Sequence, residues 1–379
     1  MNRIGIFVFY DSSGRVDEYV EVLLNSMCEI LKKLIIVING KIEDLDYKRL
    51  NEYSDNIFVR ENRGYDAGAY KDVFTNFLNE EDWAKWDEII LFNDTFYGPL
   101  SPWGDIFKIM EKEEADFWGL SRHPGGGKLS SGEELPSHIQ AYFLVCKKSL
   151  FLSCSWKEFW EALVYPGNYS EAVENFEVHF TEFFEERRYQ GKAFTDKCCV
   201  NIEYGKNPYL CNFQELIQNF GFPIIKRRTI CLDYLEKAKT VIDYIKNNTD
   251  YDINLIRIHI ERLYREDKIE PIAPFDPAAL ERFYNRHEKV FIYGHGAYGK
   301  GIAVYFKYKG WEYEGFIVSE NNGDEADVFV LRELKCDGKS GVVMALGENA
   351  FFEVYPEIRK LLSESRLCCP QYAVITENN

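Results

Sequence analysis

Short apolar runs alternate with stretches of helical periodicity over the first 120 residues of the chain. The apolar runs are 4–10, 34–38, 57–59 and 88–92. Residues 16–33 and 67–78 instead repeat apolar positions every three or four residues, which is the spacing of one helix face. This alternation predicts a mostly parallel sheet with helices on both of its faces.

The pattern changes twice further along the chain. A strand-like run at 141–146 precedes two helical regions, and a charged, helix-leaning stretch then extends from 223 to 287 and ends in the proline-rich segment 270–277. A fresh strand begins at 289 and opens a second alternation of apolar runs and helical stretches. The helical regions are 150–163 and 170–188, and the late apolar runs are 289–293, 313–318, 328–331, 342–346 and 372–375. We therefore predict a large α/β domain at 1–230, a helical connector at 231–287 and a small Rossmann-like α/β domain at 288–379.

Polar clusters follow three of the first apolar runs directly. They are Tyr10 with Asp11, the segment 60–66, and the segment 93–98. Open α/β sheets bind ligands beyond the carboxyl ends of their strands, so these clusters are the predicted binding site.

Charge and composition narrow the class of protein. The 379 residues carry a formal net charge of −17, which opposes binding to a phosphate backbone, so we expect no nucleic-acid partner. No apolar stretch reaches the roughly 18 residues that cross a bilayer, and the run 4–10 is too short for a signal sequence, so we expect a cytoplasmic protein. The ten cysteines include no Cys-x-x-Cys spacing and are interpreted as reduced thiols.

Two segments concentrate the candidate chemistry. In 61–71, Gly64 permits close backbone approach, Arg63 offers a planar set of donors, and Asp66 lies where a helix starts, so that its N–H groups would face an anion. In 91–100, Asp94 follows a buried strand. The structural alternatives are that Asp66 caps the helix with Arg63 solvated, and that Asp94 forms an ordinary turn.

An ordered set of motifs runs through about residues 1–230. The motifs are Glu61-Asn-Arg-Gly-Tyr-Asp66, Phe92-Asn-Asp-Thr95, Tyr97-Gly-Pro99, Asp116-Phe-Trp-Gly-Leu120, His138-Ile-Gln-Ala-Tyr-Phe-Leu144, Glu177 with Thr181-Glu-Phe-Phe184, and Phe222-Pro-Ile-Ile-Lys226. As an ordered set they resemble the rhamnan-synthesis protein F family of bacterial glycosyltransferases. The resemblance implies a GT-A-like fold, a mostly parallel sheet flanked by helices that binds a nucleoside-diphosphate sugar.

The resemblance also implies the donor-binding residues. It places Tyr10 and Asp11 beside the nucleotide, and the loop residues along the base, ribose or diphosphate. The full implied set is Tyr10, Asp11, Asn62, Arg63, Gly64, Asp66, Asn93 and Asp94. Asp94 takes the place of the metal-binding Asp-x-Asp signature, which implies Mg²⁺ or Mn²⁺ at the diphosphate. The sequence offers Asn93-Asp94-Thr95 there, with one carboxylate rather than two, and this leaves the metal dependence open.

An inverting sugar transfer also needs a base for the acceptor hydroxyl. By the resemblance, Glu177 holds the matching position, with Glu174 as its neighbouring competitor and His138 and His179 as secondary candidates. Glu177 lies in a strongly acidic stretch, so a solvated surface carboxylate is the structural alternative.

The C-terminal part carries a possible nucleotide loop of its own. Gly294, Gly296 and Gly299 fit Gly-x-Gly-x-x-Gly between a strand and a helix, with Glu320 at the distance of an acidic ribose ligand. The loop nearly matches a phosphate-binding P-loop, but Gly301 replaces the Ser or Thr that would hold Mg²⁺. This module either binds a nucleotide or sugar, or only packs against the rest of the protein.

The function that we predict is an inverting hexosyltransferase-type glycosyltransferase. Its donor would be a nucleotide sugar, with dTDP-rhamnose suggested by the resemblance, and its acceptor a glycan or lipid-linked sugar at the inner face of the membrane. We expect no tightly bound organic cofactor. The alternative is a non-catalytic sugar-nucleotide-binding or assembly protein of polysaccharide biosynthesis, and an NAD-dependent sugar-nucleotide enzyme is a more distant third.

Overall fold

A computed structural model describes most of the chain. The described residues are 1–78, 81–126, 129, 132–202, 204–231, 236–266, 269–270, 277–319, 327–331, 339–346, 348–363, 366–368 and 373–374. Most of the predicted linker at 270–277, the candidate ribose ligand Glu320 and both ends of the predicted strand at 372–375 lie outside them.

The described chain alternates strands and helices. The strands are β1 (Arg3–Phe9), β2 (Lys33–Asn39), β3 (Ile57–Arg60), β4 (Glu88–Asn93), β5 (Phe96–Tyr97), β6 (Phe117–Gly119), β7 (Arg122–His123), β8 (His138–Ile139), β9 (Phe143–Lys147), β10 (Gly191–Ala193), β11 (Ile225–Lys226), β12 (Ile269–Glu270), β13 (Lys289–Tyr293), β14 (Gly315–Val318), β15 (Val328–Val330), β16 (Ser340–Met344), β17 (Leu367–Cys368) and β18 (Ala373–Val374). The helices are α1 (Glu18–Cys28), α2 (Asp44–Leu50), α3 (Tyr65–Asp72), α4 (Trp103–Met110), α5 (Lys148–Phe151), α6 (Cys154–Ala162), α7 (Tyr169–Ala172), α8 (His179–Glu186), α9 (Pro208–Cys211), α10 (Phe213–Phe220), α11 (Arg227–Cys231), α12 (Glu236–Asn248), α13 (Ile253–Glu266), α14 (Pro277–Arg286), α15 (Ala297–Lys309) and α16 (Glu348–Leu361).

The N-terminal part is built on a seven-stranded sheet. The strand order is β10-β6-β9-β4-β1-β2-β3. Every strand runs in the same direction except β9, which is antiparallel to both of its neighbours. The mostly parallel α/β sheet predicted from the sequence is therefore confirmed.

Burial explains why the central strands read as unbroken apolar runs. All seven residues of β1 and all six of β4 are buried, because helices cover both faces of the sheet at its centre. The sequence did not predict β6 and β10, because each strand is only three residues long. They also end at small residues, β6 at Gly119 and β10 at Ala193.

Aromatic side chains fill one face of this sheet. Phe159 and Trp160 of α6 pack against Phe176, Phe180 and Phe184, with ring centroids about 5–6 Å apart. The helical stretch that supplies the last three is continuous from α7 to α8, with a π-helical turn at Val173–Val178 between them. A second π-helical turn, Val73–Phe77, follows α3.

The C-terminal part contains a separate five-stranded sheet. Its order is β15-β14-β13-β16-β17, and all four pairings between neighbouring strands are parallel. The first strand in the sequence lies at the centre and the chain winds outward in both directions, which is the arrangement of a Rossmann-like sheet. The predicted small α/β unit is thus present.

The chain divides into two compact units. One comprises 1–227 with 246–255, and the other comprises 228–245 with 256–379. The region predicted as a helical connector contains α12, α13 and α14. The boundaries at 230 and 287 stay predictions. No helix among the described residues is both long enough and apolar enough to cross a membrane.

Candidate active site

Asn93 and Asp94 lie at the carboxyl end of β4, at the centre of the large sheet. Both are buried, at 5% and 4% exposure. The Asn93 side-chain oxygen accepts hydrogen bonds from the Thr95 backbone N–H at 3.1 Å and from the Thr95 hydroxyl at 2.6 Å. Its amide nitrogen donates to Asp66 Oδ2 at 2.9 Å. The two predicted motifs therefore meet through the pair Asn93 and Asp66.

Asp66 occupies the first turn of α3. Its Oδ1 accepts from the backbone N–H of Ala67 at 2.9 Å, while Gly64 is the residue that precedes the helix in a left-handed conformation, with φ of 78°. Burial raises the pKa of Asp66, although the hydrogen bond from Asn93 opposes this. Asp66 thus lies inside the helix rather than capping it, and its side chain is fixed by two donors.

The short strand β11 brings Lys226, and Arg227 directly after it, close to the carboxyl end of β4. β11 pairs antiparallel with β5, which sets Lys226 opposite Phe96, two residues after Asp94. The Lys226 ammonium donates to the Thr95 hydroxyl and lies 4.1 Å from the centre of the Tyr142 ring. Burial lowers the pKa of Lys226 to about 7, against the opposing charge of Glu177.

Arg227 is the ion-pair partner of Asp94. Its Nη1 lies 3.3 Å from Asp94 Oδ2 and 3.2 Å from the hydroxyl of Tyr19, and that hydroxyl donates to the backbone oxygen of Asp94 at 3.2 Å. Burial raises the pKa of Asp94, with the Arg227 charge acting in the opposite direction. Asp94, the first residue after β4, is therefore fixed by contacts to both its backbone oxygen and its side chain.

Glu177 lies within the π-helical turn, and its side chain is largely buried. Its Oε2 accepts from the backbone N–H of Ala141 at 2.8 Å, and its Oε1 lies 3.2 Å from His138 Nε2. Burial would raise the pKa of Glu177, but the hydrogen bond and charge of His138 outweigh it and the pKa is lowered. Glu177 is therefore an oriented carboxylate and not a solvated surface charge, unlike the exposed Glu182 and Glu186 on neighbouring turns.

Both ring nitrogens of His138 have a polar partner. Its Nδ1 lies 2.8 Å from the carbonyl oxygen of Pro136, which can only accept, so Nδ1 carries a proton. Burial opposes protonation of Nε2, yet the hydrogen bond and charge of Glu177 outweigh burial and raise the pKa of His138. His123 stacks on the same ring at 5.2 Å, and burial lowers its pKa to about 4.

These groups interact electrostatically across the site. The charge of Glu177 raises the pKa of Asp66, and the charge of Lys226 lowers the pKa of Asp66, Asp94 and Glu177. Asp94 after the strand end, Asp66 in the first turn of α3, Glu177 in the π-helical turn and the buried Lys226 ammonium thus interact electrostatically.

The loop before α3 is shaped by two glycines and a tyrosine. A Cβ on Gly64 would lie 2.8 Å from Tyr165 Cδ1, and a Cβ on Gly68 would lie 2.3 Å from the carbonyl oxygen of Arg63. The Arg63 guanidinium lies over the Tyr165 ring at 4.5 Å, and both Arg63 and Asn62 are exposed. The predicted donor loop is therefore a tight turn whose polar side chains face solvent.

A buried ion pair between Arg60 and Asp72 supports that loop. Arg60 Nε donates to Asp72 Oδ2 at 2.7 Å, and Arg60 Nη2 donates to the carbonyl oxygen of Arg63 at 2.7 Å. Asn39 at the end of β2 accepts from Arg60 at 2.6 Å and donates to the carbonyl oxygen of Tyr65 at 2.9 Å. The ends of β2 and β3 thus hold the loop in place.

Tyr10 and Asp11 follow β1 as predicted. Asp11 is buried, and its Oδ1 accepts from the backbone N–H groups of Ser13 and Arg15, each at 3.0 Å. Tyr10 is 45% exposed, with its ring near Gly40. Asp11 also raises the pKa of Asp94, so the ends of β1 and β4 are electrostatically coupled.

The donor set at Asp94 does not suit a divalent cation. One carboxylate oxygen is paired with Arg227, and the neighbouring Asn93 oxygen already accepts two hydrogen bonds. Among the described residues, no three His, Cys, Asp or Glu side chains form a group that could hold a metal ion. The metal-binding role of Asp94 stays a prediction from the resemblance.

The C-terminal glycine loop has a structural requirement for two of its glycines. Gly294 has φ of 104°, and a Cβ on Gly299 would lie 1.8 Å from the Gly294 carbonyl oxygen. Gly296 has no atom within 4 Å of its ideal Cβ position and precedes α15. Close packing of the strand-to-helix turn thus accounts for Gly294 and Gly299, and nucleotide binding there stays a prediction.

Sequence reasoning assigned no role to Lys226, Arg227 or Tyr19. Lys226 and Arg227 begin a run of three basic residues, 226–228, that directly follows the apolar run 222–225 in an acidic chain. That contrast is the signal that could have identified them. Tyr19 gave no signal, because it falls on the apolar face of α1.

Comparison with known proteins gives one family match and several distant similarities. The model of the family described as rhamnan synthesis protein F matches residues 34–293. The uncharacterized protein y4gN of Sinorhizobium fredii is 22% identical over 187 residues, which are 48% of this chain and 45% of that protein. The chain therefore spans less than half the length of this curated relative.

Two solved structures show the extent of structural similarity. The 4-diphosphocytidyl-2C-methyl-D-erythritol synthase from Anaerococcus prevotii is 12% identical and has a TM-score of 0.32, covering 51% of this chain and 86% of its own. Core-mannan synthase A from Aspergillus fumigatus, in its Mn/GDP form, is 9% identical with a TM-score of 0.30, covering 46% of this chain and 68% of its own. The family match extends past the motifs at 1–230 and into β13, and because it spans more than half of the chain, the protein belongs to the rhamnan synthesis protein F family.

Proposed function

We propose that this protein is a glycosyltransferase that moves a sugar from a nucleoside-diphosphate donor to a hydroxyl of a glycan or lipid-linked acceptor. The observation that carries this proposal is the position of Glu177. Its carboxylate is oriented by His138 and Ala141 and is electrostatically coupled to Asp66 and Lys226 at the carboxyl end of the sheet. A base beside an anion-binding strand end is what an inverting sugar transfer requires.

In this proposal, Glu177 accepts the proton of the acceptor hydroxyl. The acceptor oxygen attacks the anomeric carbon, the bond from that carbon to the phosphate oxygen breaks, and its electron pair leaves with the nucleoside diphosphate. The hydroxyl proton passes to the Glu177 carboxylate, which His138 keeps ionised before the reaction. His138 acts as a positioning residue, since it fixes the carboxylate without touching the sugar.

The donor site in this proposal is the cluster at the ends of β1 to β4. It comprises Tyr10, Asp11, Asn62, Arg63, Gly64, Asp66, Asn93 and Asp94. Tyr10 offers an exposed ring beside this edge, and the loop 61–64 offers exposed polar groups. A hexosyl donor such as dTDP-rhamnose and a cytoplasmic site of action at the inner membrane face belong to the same proposal, on the strength of the family.

Donor turnover tests this function. The full-length protein is incubated with a panel of nucleotide sugars, with and without Mn²⁺, and release of nucleoside diphosphate is measured. Glu177→Gln is expected to lower kcat by about 10²–10⁴-fold. Glu182→Gln is the matched control, because Glu182 is an exposed carboxylate on the next turn. If Glu177→Gln turns over like the wild type, the base assignment is wrong.

A non-catalytic sugar-nucleotide-binding protein is the second candidate function. The ion pair of Asp94 with Arg227 favours it, because it occupies the carboxylate expected to bind metal. This candidate predicts that nucleotide sugars bind without any nucleoside diphosphate being released, whereas release by the wild-type protein would exclude it.

A further inference from the structure

Tyr165 lies in the segment 163–168, between α6 and α7, and packs its ring against the loop 61–64 and the start of α3. An ideal Cβ on Gly64 would lie 2.8 Å from Tyr165 Cδ1, and one on Gly68 would lie 2.9 Å from the same atom. Both distances are shorter than two carbon atoms can pack. The ring therefore occupies the space in which any residue other than glycine would carry a side chain.

The segment 163–168 is fixed at both of its ends. At the first end, the Lys71 ammonium of α3 donates to three carbonyl oxygens at the end of α6, those of Trp160, Glu161 and Leu163. These are carbonyl groups that a helix end leaves without an intrahelical donor. At the second end, the side-chain oxygen of Asn168 accepts from the backbone N–H of Glu171 at 2.9 Å and caps α7. Tyr165 is thus presented by an anchored segment.

The Tyr165 hydroxyl joins the polar contacts that hold the loop. It donates to Asp72 Oδ1 at 2.6 Å, and Arg60 donates to the other oxygen of the same carboxylate. Arg60 in turn donates to the carbonyl oxygen of Arg63. Burial and the neighbouring Asp72 raise the pKa of Tyr165, so the hydroxyl keeps its proton and remains a donor. Asp72 therefore links the ring to the backbone of the loop.

Arg63 is the exposed side chain that the ring supports. Its Cζ lies 4.5 Å from the centroid of the Tyr165 ring. A cation–π contact uses the face of the ring and consumes no hydrogen bond. Within the described parts of the chain, no residue accepts a hydrogen bond from this guanidinium. The planar set of donors, which matches the geometry of phosphate oxygens, is therefore held in one direction at the surface.

We infer that Tyr165 is a positioning residue for the donor, because its ring holds Arg63 in the orientation that binds a phosphate group of the nucleoside diphosphate. This inference rests on the proposed function, in which Arg63 belongs to the donor site. A free arginine side chain loses rotamer freedom when it binds a ligand, and Tyr165 imposes that loss before the donor arrives. The segment continues into α7 and the π-helical turn, so the same stretch of chain also carries Glu177.

Calorimetric titration of the full-length protein with UDP, dTDP, GDP and CDP, in Mn²⁺ and in EDTA, tests the inference. For the tightest-binding nucleotide, Tyr165→Leu should raise the Kd by about 5- to 30-fold, the combined worth of a cation–π contact and of ordering one long side chain. Tyr165→Phe keeps the ring and should stay within about threefold of the wild type. Tyr47→Leu removes an exposed tyrosine of α2, 37% accessible, and is the matched control that should change nothing.

A double-mutant cycle separates positioning from a merely structural role. Arg63→Met alone should raise the Kd by about 10- to 100-fold, because hydrogen bonds to a charged group are lost. In that background, Tyr165→Leu should add less than about twofold, because the ring has no guanidinium left to orient. A structural role would instead give the same fold-change in both backgrounds. In turnover, Tyr165→Leu should raise the donor KM and leave kcat within about twofold.

A fluorinated phenylalanine at position 165 provides a variant that keeps the shape of the ring. Fluorination removes the negative charge from the ring face, so the Kd should rise about 2- to 5-fold relative to Tyr165→Phe. This comparison decides the matter even if Tyr165→Leu does not fold, and equal affinities of the two rings would overturn the inference.

Three other results would also overturn it: wild-type affinity in a folded Tyr165→Leu, an undiminished effect of Tyr165→Leu in the Arg63→Met background, or no binding of any of the four nucleotides. Nucleotide binding that depends on Tyr165 without any sugar turnover would instead remove the proposed function and leave this inference intact.

Discussion

Replacing Lys226 with methionine is expected to stabilise the protein at neutral pH. Methionine keeps an unbranched side chain of similar length and removes the charge, so most packing contacts remain while the buried ammonium is lost. The hydrogen bond to Thr95 and the contact with the Tyr142 ring are lost too, and these losses reduce the gain.

The magnitude follows from proton linkage. Burial lowers the pKa of Lys226 to about 7 from its ordinary value of 10.5. Because the folded pKa lies below the unfolded one, the unfolded chain binds more protons between these values, and wild-type stability rises with pH across that window. The destabilisation is about 4.5 kcal/mol near pH 6.5 and about 1.5 kcal/mol near pH 9.5, a fall of about 3 kcal/mol.

Urea unfolding followed by tryptophan fluorescence measures this change. Six of the seven tryptophans lie within residues 1–227, so the signal reports the unit that contains Lys226. The free-energy advantage of Lys226→Met over the wild type should be largest near pH 6.5 and about 3 kcal/mol smaller near pH 9.5. Lys108→Met removes an exposed lysine of α4 and should show no such trend. An advantage that is the same at both pH values would refute the burial argument.

The remaining predictions concern the histidine pair and the glycine loop. In His138→Gln, the pKa of Glu177 should rise because the imidazolium that lowers it is gone, so the acid limb of the turnover profile should move to higher pH; an unmoved limb would show that His138 does not set it. Gly299→Ala should destabilise the C-terminal unit by at least about 1–3 kcal/mol in calorimetric melting, because its Cβ would clash with the Gly294 carbonyl oxygen. Gly301→Ala, whose Cβ meets nothing within 4 Å, should be neutral or stabilising by up to about 1 kcal/mol, and equal effects of the two would contradict this reading.

The sequence predicted the parallel core well for a physical reason. Strands buried on both faces must be apolar throughout, and β1, β2 and β4 are therefore visible as unbroken runs. The short strands β6 and β10 contribute only three residues each, too few for a periodicity to appear. The reversed direction of β9 is equally hidden, because pairing direction depends on the long connections before it.

The candidate site was predictable only where polar side chains directly follow a strand or begin a helix. Asp66, Asn93 and Asp94 were identified because each stands next to a strand or helix boundary. Lys226 was missed as a functional residue because β11 joins the site through an antiparallel pairing with β5. In this pairing Lys226 lies opposite Phe96, which is 130 positions earlier in the chain. Such a long-range pairing leaves no local pattern, and the ionisation of Lys226 depends on burial that only the fold supplies.

The geometry of the candidate site depends on the number of residues in the π-helical turn at Val173–Val178. This turn contains one more residue than an α-helical turn would, and this lets a single helical stretch direct Phe176 and Phe180 into the aromatic core while Glu177 reaches His138. Removing one residue there would rotate the two ends of the stretch against each other by about 100°. Either the aromatic packing or the contact of the Glu177 carboxylate with His138 would then be lost. This turn should therefore tolerate substitutions better than insertions or deletions.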